Sequence, residues 1–313
     1  MRRSKCRESV CVYGITGVGK TTQTELLVEV VRQVLGLEKI VRLASANADG
    51  WSVIQPSVDS GKVKPCWVQS RKYSIQTIDR LTRGWWPADP DDPDSPLLPP
   101  DKQPDWESVG GVVFDSGTDY ANWIMRDSLL READSKGSFK IAAEAASHYY
   151  SDGRPPVIEG GKVIEEGDET RYASAARGHY GSDQNRMEQF INQSKDIPDR
   201  FIMWTFLEDR GKDPVTRAPV YGPDVIGSAI NGMVPSWFGR TVRISVRPSK
   251  IGDPIRRMYL KNHFEPGDSV PYLANVRDNV RSLLPTYLEG REANLLTLYK
   301  KLSESYQRIK EMK

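Results

Sequence analysis

Cysteine is scarce in this chain of 313 residues: Cys6, Cys11 and Cys66 are the complete set. Three scattered thiols build neither a disulfide framework nor a zinc site, so a reducing, cytoplasmic compartment is the expectation. No run approaches the ~18 apolar residues of a membrane helix, and no internal repeat is visible. The first eight residues are basic, but the apolar stretch behind them runs into a glycine-rich loop, which excludes a secretory signal and predicts a core strand. Net charge is also small, at +2, and by itself says nothing about nucleic acid. An apolar fraction of 38% with a mean hydropathy of −0.55 describes a soluble chain with an ample polar surface.

Charge is unevenly spread. Seven basic residues (Arg240, Arg243, Arg247, Lys250, Arg256, Arg257, Lys261) face one acid, Asp253, between positions 240 and 261, whereas six acids face one lysine between 88 and 105. Such asymmetry steers a polyanion toward one face.

The segment Val10–Thr22 is the most informative. An apolar strand leads into Gly14-Ile-Thr-Gly-Val-Gly-Lys-Thr21, the GxxxxGKT form of a phosphate loop, with a helical pattern from Thr22 to Leu35 behind it. Gly14, Thr16, Gly17, Val18, Gly19, Lys20, Thr21 and Thr22 are the nucleotide-binding candidates. Glycines let successive N–H groups converge on a phosphate. Lys20 would reach the β/γ-phosphates, and the Thr21 hydroxyl would join Mg2+. ATP and Mg2+ are the implied ligands.

Alternating strand and helix patterns predict an α/β fold around a mostly parallel central sheet with helices on both faces. Strands are expected at 9–13, 39–44, 64–68, 110–115, 200–206 and 240–246. Helices are expected at 22–34, 75–81, 120–132, 184–193 and 225–233, with a further helical patch at 139–150. Seven prolines between positions 87 and 104 make 84–106 a surface excursion. A second long insertion is expected over 135–178, and a polar loop over 208–221. The expected organisation is a core over 1–284 followed by an amphipathic C-terminal helix over 285–313, where Leu295, Leu298, Leu302, Tyr306 and Ile309 recur at helical spacing.

Phosphoryl transfer needs an acid near the loop to position the metal. Val112-Val-Phe-Asp115 supplies it as a Walker B element, which makes Asp115 a metal and catalytic candidate beside Lys20, with Ser116 adjacent. Thr205, near the end of its strand, is a candidate γ-phosphate sensor, with Glu208 just beyond.

The ordered set of motifs resembles the phage-encoded RecA-like P-loop nucleotide-binding proteins, ATPases linked to single-strand annealing and recombination. It comprises the Gly14–Thr21 loop, Leu81-Thr-Arg-Gly-Trp-Trp-Pro87, Val112–Asp115 and His179-Tyr-Gly-Ser-Asp-Gln-Asn-Arg-Met187. Phe201–Phe206, Tyr221-Gly-Pro-Asp-Val-Ile-Gly227 and Val234-Pro-Ser-Trp-Phe-Gly239 complete it over about residues 8–275. The segment 135–178 is longer than the family pattern. The resemblance implies a RecA-like core, Mg2+-dependent ATPase activity, and a ring or filament of identical chains on single-stranded DNA, with an annealing or replication protein as a possible partner. It suggests Asp49, after the second strand, as a water-activating base. It also turns the loops at 146–178 and 208–222 toward DNA, making Arg210, Lys212 and Arg217 the first contact candidates and Tyr149, Tyr150, Tyr172 and Tyr180 candidates for base stacking. Arg240 and Arg243 are candidates for a finger reaching a neighbour's site. The competing readings are a P-loop nucleotide or small-molecule kinase, with 171–177 as a lid, and a nucleotide-gated assembly protein.

Overall fold

The computed structural model describes residues 8–36, 38–69, 71, 74–125, 158–159, 162–163, 177–213, 215–227, 230–248, 254–276 and 283–311. At its centre is β1 (Glu8–Tyr13), buried from Ser9 onward. It lies between two parallel neighbours, β9 (Phe201–Phe206) and β12 (Arg240–Arg247). A strand paired on both edges and covered on both faces meets no water, so its sequence reads as a continuous apolar run. Beyond β9 come β6 (Val109–Asp115), β2 (Ile40–Ser45) and β3 (Val63–Trp67), all parallel, giving the order β12-β1-β9-β6-β2-β3.

The side chains of β1 alternate between two cores, as the two-residue period of a strand requires. Val10 and Val12 join α1 (Thr22–Leu35) and α6 (Leu295–Glu311) through Leu27, Val31, Leu295, Leu298 and Leu302. Cys11 and Tyr13 face the opposite layer, where α3 (Ser74–Leu81), α4 (117–125) and α5 (Arg177–Lys195) bring Ile78, Tyr120, Ile124 and Phe190 onto Phe114 and Trp204. A short helix, α2 (Gln55–Asp59), connects β2 to β3.

On the β12 side the sheet departs from the expected parallel pattern. β13 (Ile255–Tyr259) and β15 (Tyr272–Val276) both run antiparallel to β12. The strands β10 (Glu208–Lys212), β11 (Pro219–Pro223), β14 (Lys261–His263) and β16 (Tyr287–Glu289) complete this flank. The links between β10 and β11, β12 and β13, and β14 and β15 are too short for a crossover, so the chain turns back on itself there as hairpins, while β11 pairs with β15 in parallel. The polar segment after residue 207 is therefore the antiparallel β10–β11 hairpin, not a loop. Of the helix expected at 225–233, the described residues form no helix: 230–233 are turns, followed by a 3-10 turn over Val234–Trp237. There the Asn231 side-chain oxygen accepts the Val225 N–H at 3.4 Å, a local bond that competes with helix formation.

The excursion over 84–106 is pinned to the body by two buried arginines. Arg42, on β2, donates to Gln103 and, at 2.6 Å, to Asp105, and its guanidinium lies 5.0 Å from the Trp86 ring centre. Arg71 donates to the carbonyls of Asp89, Asp92, Pro93 and Ser95. A small ribbon pairs β4 (Trp86–Pro87) with β5 (Leu97–Leu98). Within 135–178 the described residues form one ribbon, β7 (Ile158–Glu159) with β8 (Lys162–Val163). The helical patch expected at 139–150, Tyr149, Tyr150, Arg171, Tyr172 and the part of the helix expected at 120–132 past residue 125 lie outside the described residues.

The tail helix starts later than its periodicity predicts, because Tyr287–Glu289 pairs with β13 and a 3-10 turn follows. Asn294 caps α6 by accepting the Thr297 N–H at 2.8 Å, and Gln23 of α1 accepts the Leu295 N–H at 3.0 Å. Leu298 is fully buried. Leu298→Ala should lower the unfolding free energy by about 2 to 5 kcal/mol, read from urea titration, while Glu304→Ala on the exposed face should change it by less than about 0.5 kcal/mol.

Candidate functional site

The glycine-rich loop leaves the carboxyl end of β1 and is held close to the sheet. A Cβ on Gly14 would stand 2.2 Å from the Ile244 carbonyl oxygen of β12, so the strand backbone leaves room for hydrogen alone. Gly17 and Gly19 have φ of 79° and 88°, values that L side chains rarely adopt. Val18 is buried beneath the loop, whereas Thr16 is exposed on its outer side and Thr22 begins α1. The Lys20 ammonium donates to the carbonyls of Gly14 and Ile15, both at 2.8 Å, closing the loop into a ring around a cation. Burial lowers its pKa, partly offset by the charges of Asp115, Glu208 and Asp119.

β9 stands between β1 and β6, so the two outer strands are separated by two spacings, roughly 9 to 10 Å. Two hydroxyls bridge that gap. Thr21 donates to Asp115 Oδ2 at 2.7 Å, and Thr205, from the intervening β9, donates to Oδ1. Asp115 is only 8% exposed, so its carboxylate depends on these donors in place of water. The structure thus brings together Lys20, Thr21, Asp115 and Thr205 from three elements. Asp49 lies in the 3-10 turn that follows β2 (Ala48–Ile54), and its side chain is outside the described residues.

Asp119 escaped the sequence reading. It lies at the start of α4, accepts a hydrogen bond from Ser116, and has its pKa raised by burial and by the neighbouring Asp115 charge. Its signal was the i, i+4 spacing from Asp115 in Asp-Ser-Gly-Thr-Asp. Asp224 lies nearby: burial, Asp209 and Asp119 push its carboxyl up to about 6.

Arg240 and Arg243 are corrected as candidates for a neighbour's site, because both are buried in ion pairs within their own chain. Arg240 pairs with Glu8, on the strand beside it. Arg243 binds Glu208 at 2.5 Å and Glu265 at 2.6 Å, with its guanidinium 3.8 Å from the Tyr272 ring centre. Burial opposes the Arg243 charge, but the Glu208 bond and charge outweigh it and raise the pKa. The flank formed by β13, β14 and β15 covers this face of β12. Arg210, Lys212 and Arg217 are exposed on the β10–β11 hairpin, with β10 at the sheet edge. Tyr180 lies in α5, its side chain outside the described residues.

Among the described residues, no group of three or more His, Cys, Asp or Glu side chains could hold a metal ion. Mg2+ does not require one, since it keeps several waters and commonly uses one or two protein groups together with substrate phosphates. The oxygens of Thr21 and Asp115 match that hard-donor chemistry. Among the described residues no helix is long and apolar enough to cross a membrane.

Asp224 also sets a pH dependence of stability. Its folded pKa lies above the ordinary carboxyl value, so between about pH 4 and 6 the folded state holds more protons than the unfolded chain, and stability falls as pH rises. Asp224→Asn should therefore raise the melting temperature at pH 7.5 and leave it near wild type at pH 4, as differential scanning fluorimetry at the two pH values will show.

No family model matches the chain, and no curated protein matches it. A crystal structure of the RadB recombinase is similar to it at 12% identity, over 85% of this chain and 86% of that one, with a TM-score of 0.40. At this level of likeness no function transfers.

Proposed function

We propose that the protein binds and hydrolyses ATP with Mg2+ as a RecA-like ATPase, and acts on single-stranded DNA in recombination, annealing or replication of the phage type. The observation that supports this best is the hydroxyl-bridged carboxylate of Asp115 at the mouth of a phosphate loop. Thr21 and Asp115 would hold Mg2+, which when bound neutralises charge on the transferring phosphate. Lys20 exchanges its two loop carbonyls for phosphate oxygens, so its positive charge is already aimed into the loop before nucleotide arrives. Thr205 keeps the Asp115 carboxylate oriented and registers the terminal phosphate. Asp119, buried beside Asp115, and Asp49, in the turn after β2, are the two carboxylates offered to orient the attacking water.

The exposed cations of the β10–β11 hairpin suit a single strand, because contacts to phosphates need no sequence reading. The hairpin grows directly from the end of β9, the strand that carries Thr205, so nucleotide state has a short covalent route to it. A ring or filament of identical chains, with an annealing or replication protein alongside, completes the reading.

Lys20→Ala should remove a charge-assisted contact of about 1.5 to 3 kcal/mol, with the loss read as weaker binding of an ATP analogue and near-abolished turnover. Asp115→Asn should cut Mg2+-dependent turnover. Wild-type turnover in either variant rejects the site. Single-stranded DNA should stimulate hydrolysis, and Arg210→Ala with Lys212→Ala should make the log–log salt dependence of DNA binding shallower by roughly 1.4, at ~0.7 per lost phosphate contact on a single strand. An unchanged slope removes the hairpin from the DNA interface.

A further inference from the structure

The basic stretch between positions 240 and 261 is largely neutralised within the fold. Arg240 faces Glu8, Arg243 faces Glu208 and Glu265, Arg247 faces Glu265, and Arg257 faces Glu289. Lys261 donates to the Leu284 carbonyl at 2.6 Å. Arg256 is the exception, with neither a carboxylate nor a hydrogen-bond partner among the described residues. It is half-buried, and its guanidinium lies against the phosphate loop. A Cβ built on Gly19 would stand 2.6 Å from Nη2 and 3.0 Å from Cζ. The glycine at position 19 therefore makes room for this arginine as well as for the loop's turn.

We infer that Arg256, carried on β13 of the same chain, contacts the polyphosphate gripped by the loop at 14–21. The inference rests on the nucleotide reading above and adds to it a second cation, supplied in cis. Three features carry it. The backbone of Arg256 is fixed, since β13 pairs with β12 on one side, where Arg256 is opposite Val246, and with β16 on the other. Strand alternation sends Arg257 away to Glu289, leaving the Arg256 side chain over the loop. Finally, two positive groups, Lys20 and Arg256, converge on one loop, and among the described residues no acid balances Arg256. Such an arrangement is relieved by an anion of several charges, and a guanidinium fork binds phosphate oxygens bidentately.

The test compares wild type, Arg256→Ala, Arg256→Lys and Lys20→Ala as full-length chains, each checked for an unchanged melting temperature. Binding of ATPγS with Mg2+ is measured by calorimetry, and ATP turnover is measured without DNA. Arg256→Ala should lower affinity or turnover at least about tenfold, the lower end for one lost charge-assisted contact, with Arg256→Lys intermediate because the charge survives and the fork does not. Mixing Arg256→Ala with Lys20→Ala protein should restore no activity, since each site needs both residues on one chain. Recovery on mixing would place the arginine in a neighbour's site and overturn the inference. Weakened single-stranded DNA binding with ATP binding and DNA-free turnover intact would assign Arg256 to DNA and overturn it too. If wild type binds ATPγS and Arg256→Ala matches it in both measurements, the arginine's role fails while the nucleotide site stands. Wild type that binds no nucleotide overturns the site, and this inference with it.

Discussion

A carboxylate that has lost its water must find donors, and Asp115 finds them on two other elements. An ionised carboxyl buried without hydrogen bonds costs several kcal/mol, enough to consume much of the stability of an ordinary domain. The Thr21 and Thr205 hydroxyls remove that penalty only when β6, β9 and the loop after β1 end at the same level. The register provides this. Val12 lies opposite Thr205, and Phe114 lies opposite Trp204, one residue before the acid and its hydroxyl donor. A slip of one residue would turn Thr205 to the other face and leave Asp115 unsatisfied. The site and the core are thus selected by the same pairing.

The two packed layers hold that register in place. Phe114 and Trp204 stack with ring centres 4.4 Å apart directly below the acid, and Tyr120 meets Trp204 edge-on at 6.0 Å. The Tyr120 hydroxyl donates to the Ala44 carbonyl at 2.7 Å, fastening α4 to β2. Asp119 precedes Tyr120, so its place beside Asp115 follows from the same contact. On the other face, α6 reaches back to α1, whose first turn grows out of the phosphate loop. The chain's last described helix therefore supports the first turn behind the glycine-rich loop.

Much of this was legible in the sequence because burial on both faces leaves an unmistakable mark. The apolar runs of β1, β6 and β9 read as buried strands from composition and spacing alone, the sharp turn at Gly17 and Gly19 has the positive φ that a glycine-rich loop predicts, and Asp115 ends β6 where the pattern set it. The antiparallel flank did not. Strand β10 is Glu-Asp-Arg-Gly-Lys, whose exposed edge needs no apolar residue and whose order comes from β11. The proline-rich excursion was recognised as irregular, but its attachment was hidden, since Arg42 and Arg71 act through partners at least 18 residues away. Burial even pushes the Arg42 pKa down to about 10, against the pull of Asp105. Arginine inside a strand carries no local sign of such a role.

The basic stretch shows why a count of charges is a poor guide to a field. An arginine in contact with a carboxylate looks nearly neutral from a Debye length away, about 8 to 10 Å in ordinary salt. Four of the arginines between positions 240 and 261 are in that state, so the local excess of positive charge seen in the sequence does not appear on the surface as an equal excess of potential. What survives among the described residues is directional: Arg256 over the glycine-rich loop and, on a separate strand pair, the exposed Arg210, Lys212 and Arg217. The fold thereby sets the unpaired Arg256 and the exposed hairpin cations on two separate parts of the sheet. On the reading proposed above, the end of β1 would serve as a compact cradle for a short polyphosphate and the hairpin as an open charged edge for an extended strand. Because β9 runs from Thr205, beside Asp115, straight into β10, the proposed nucleotide site and the proposed hairpin contact would lie on neighbouring parts of one chain segment, which would give them a physical route for coupling.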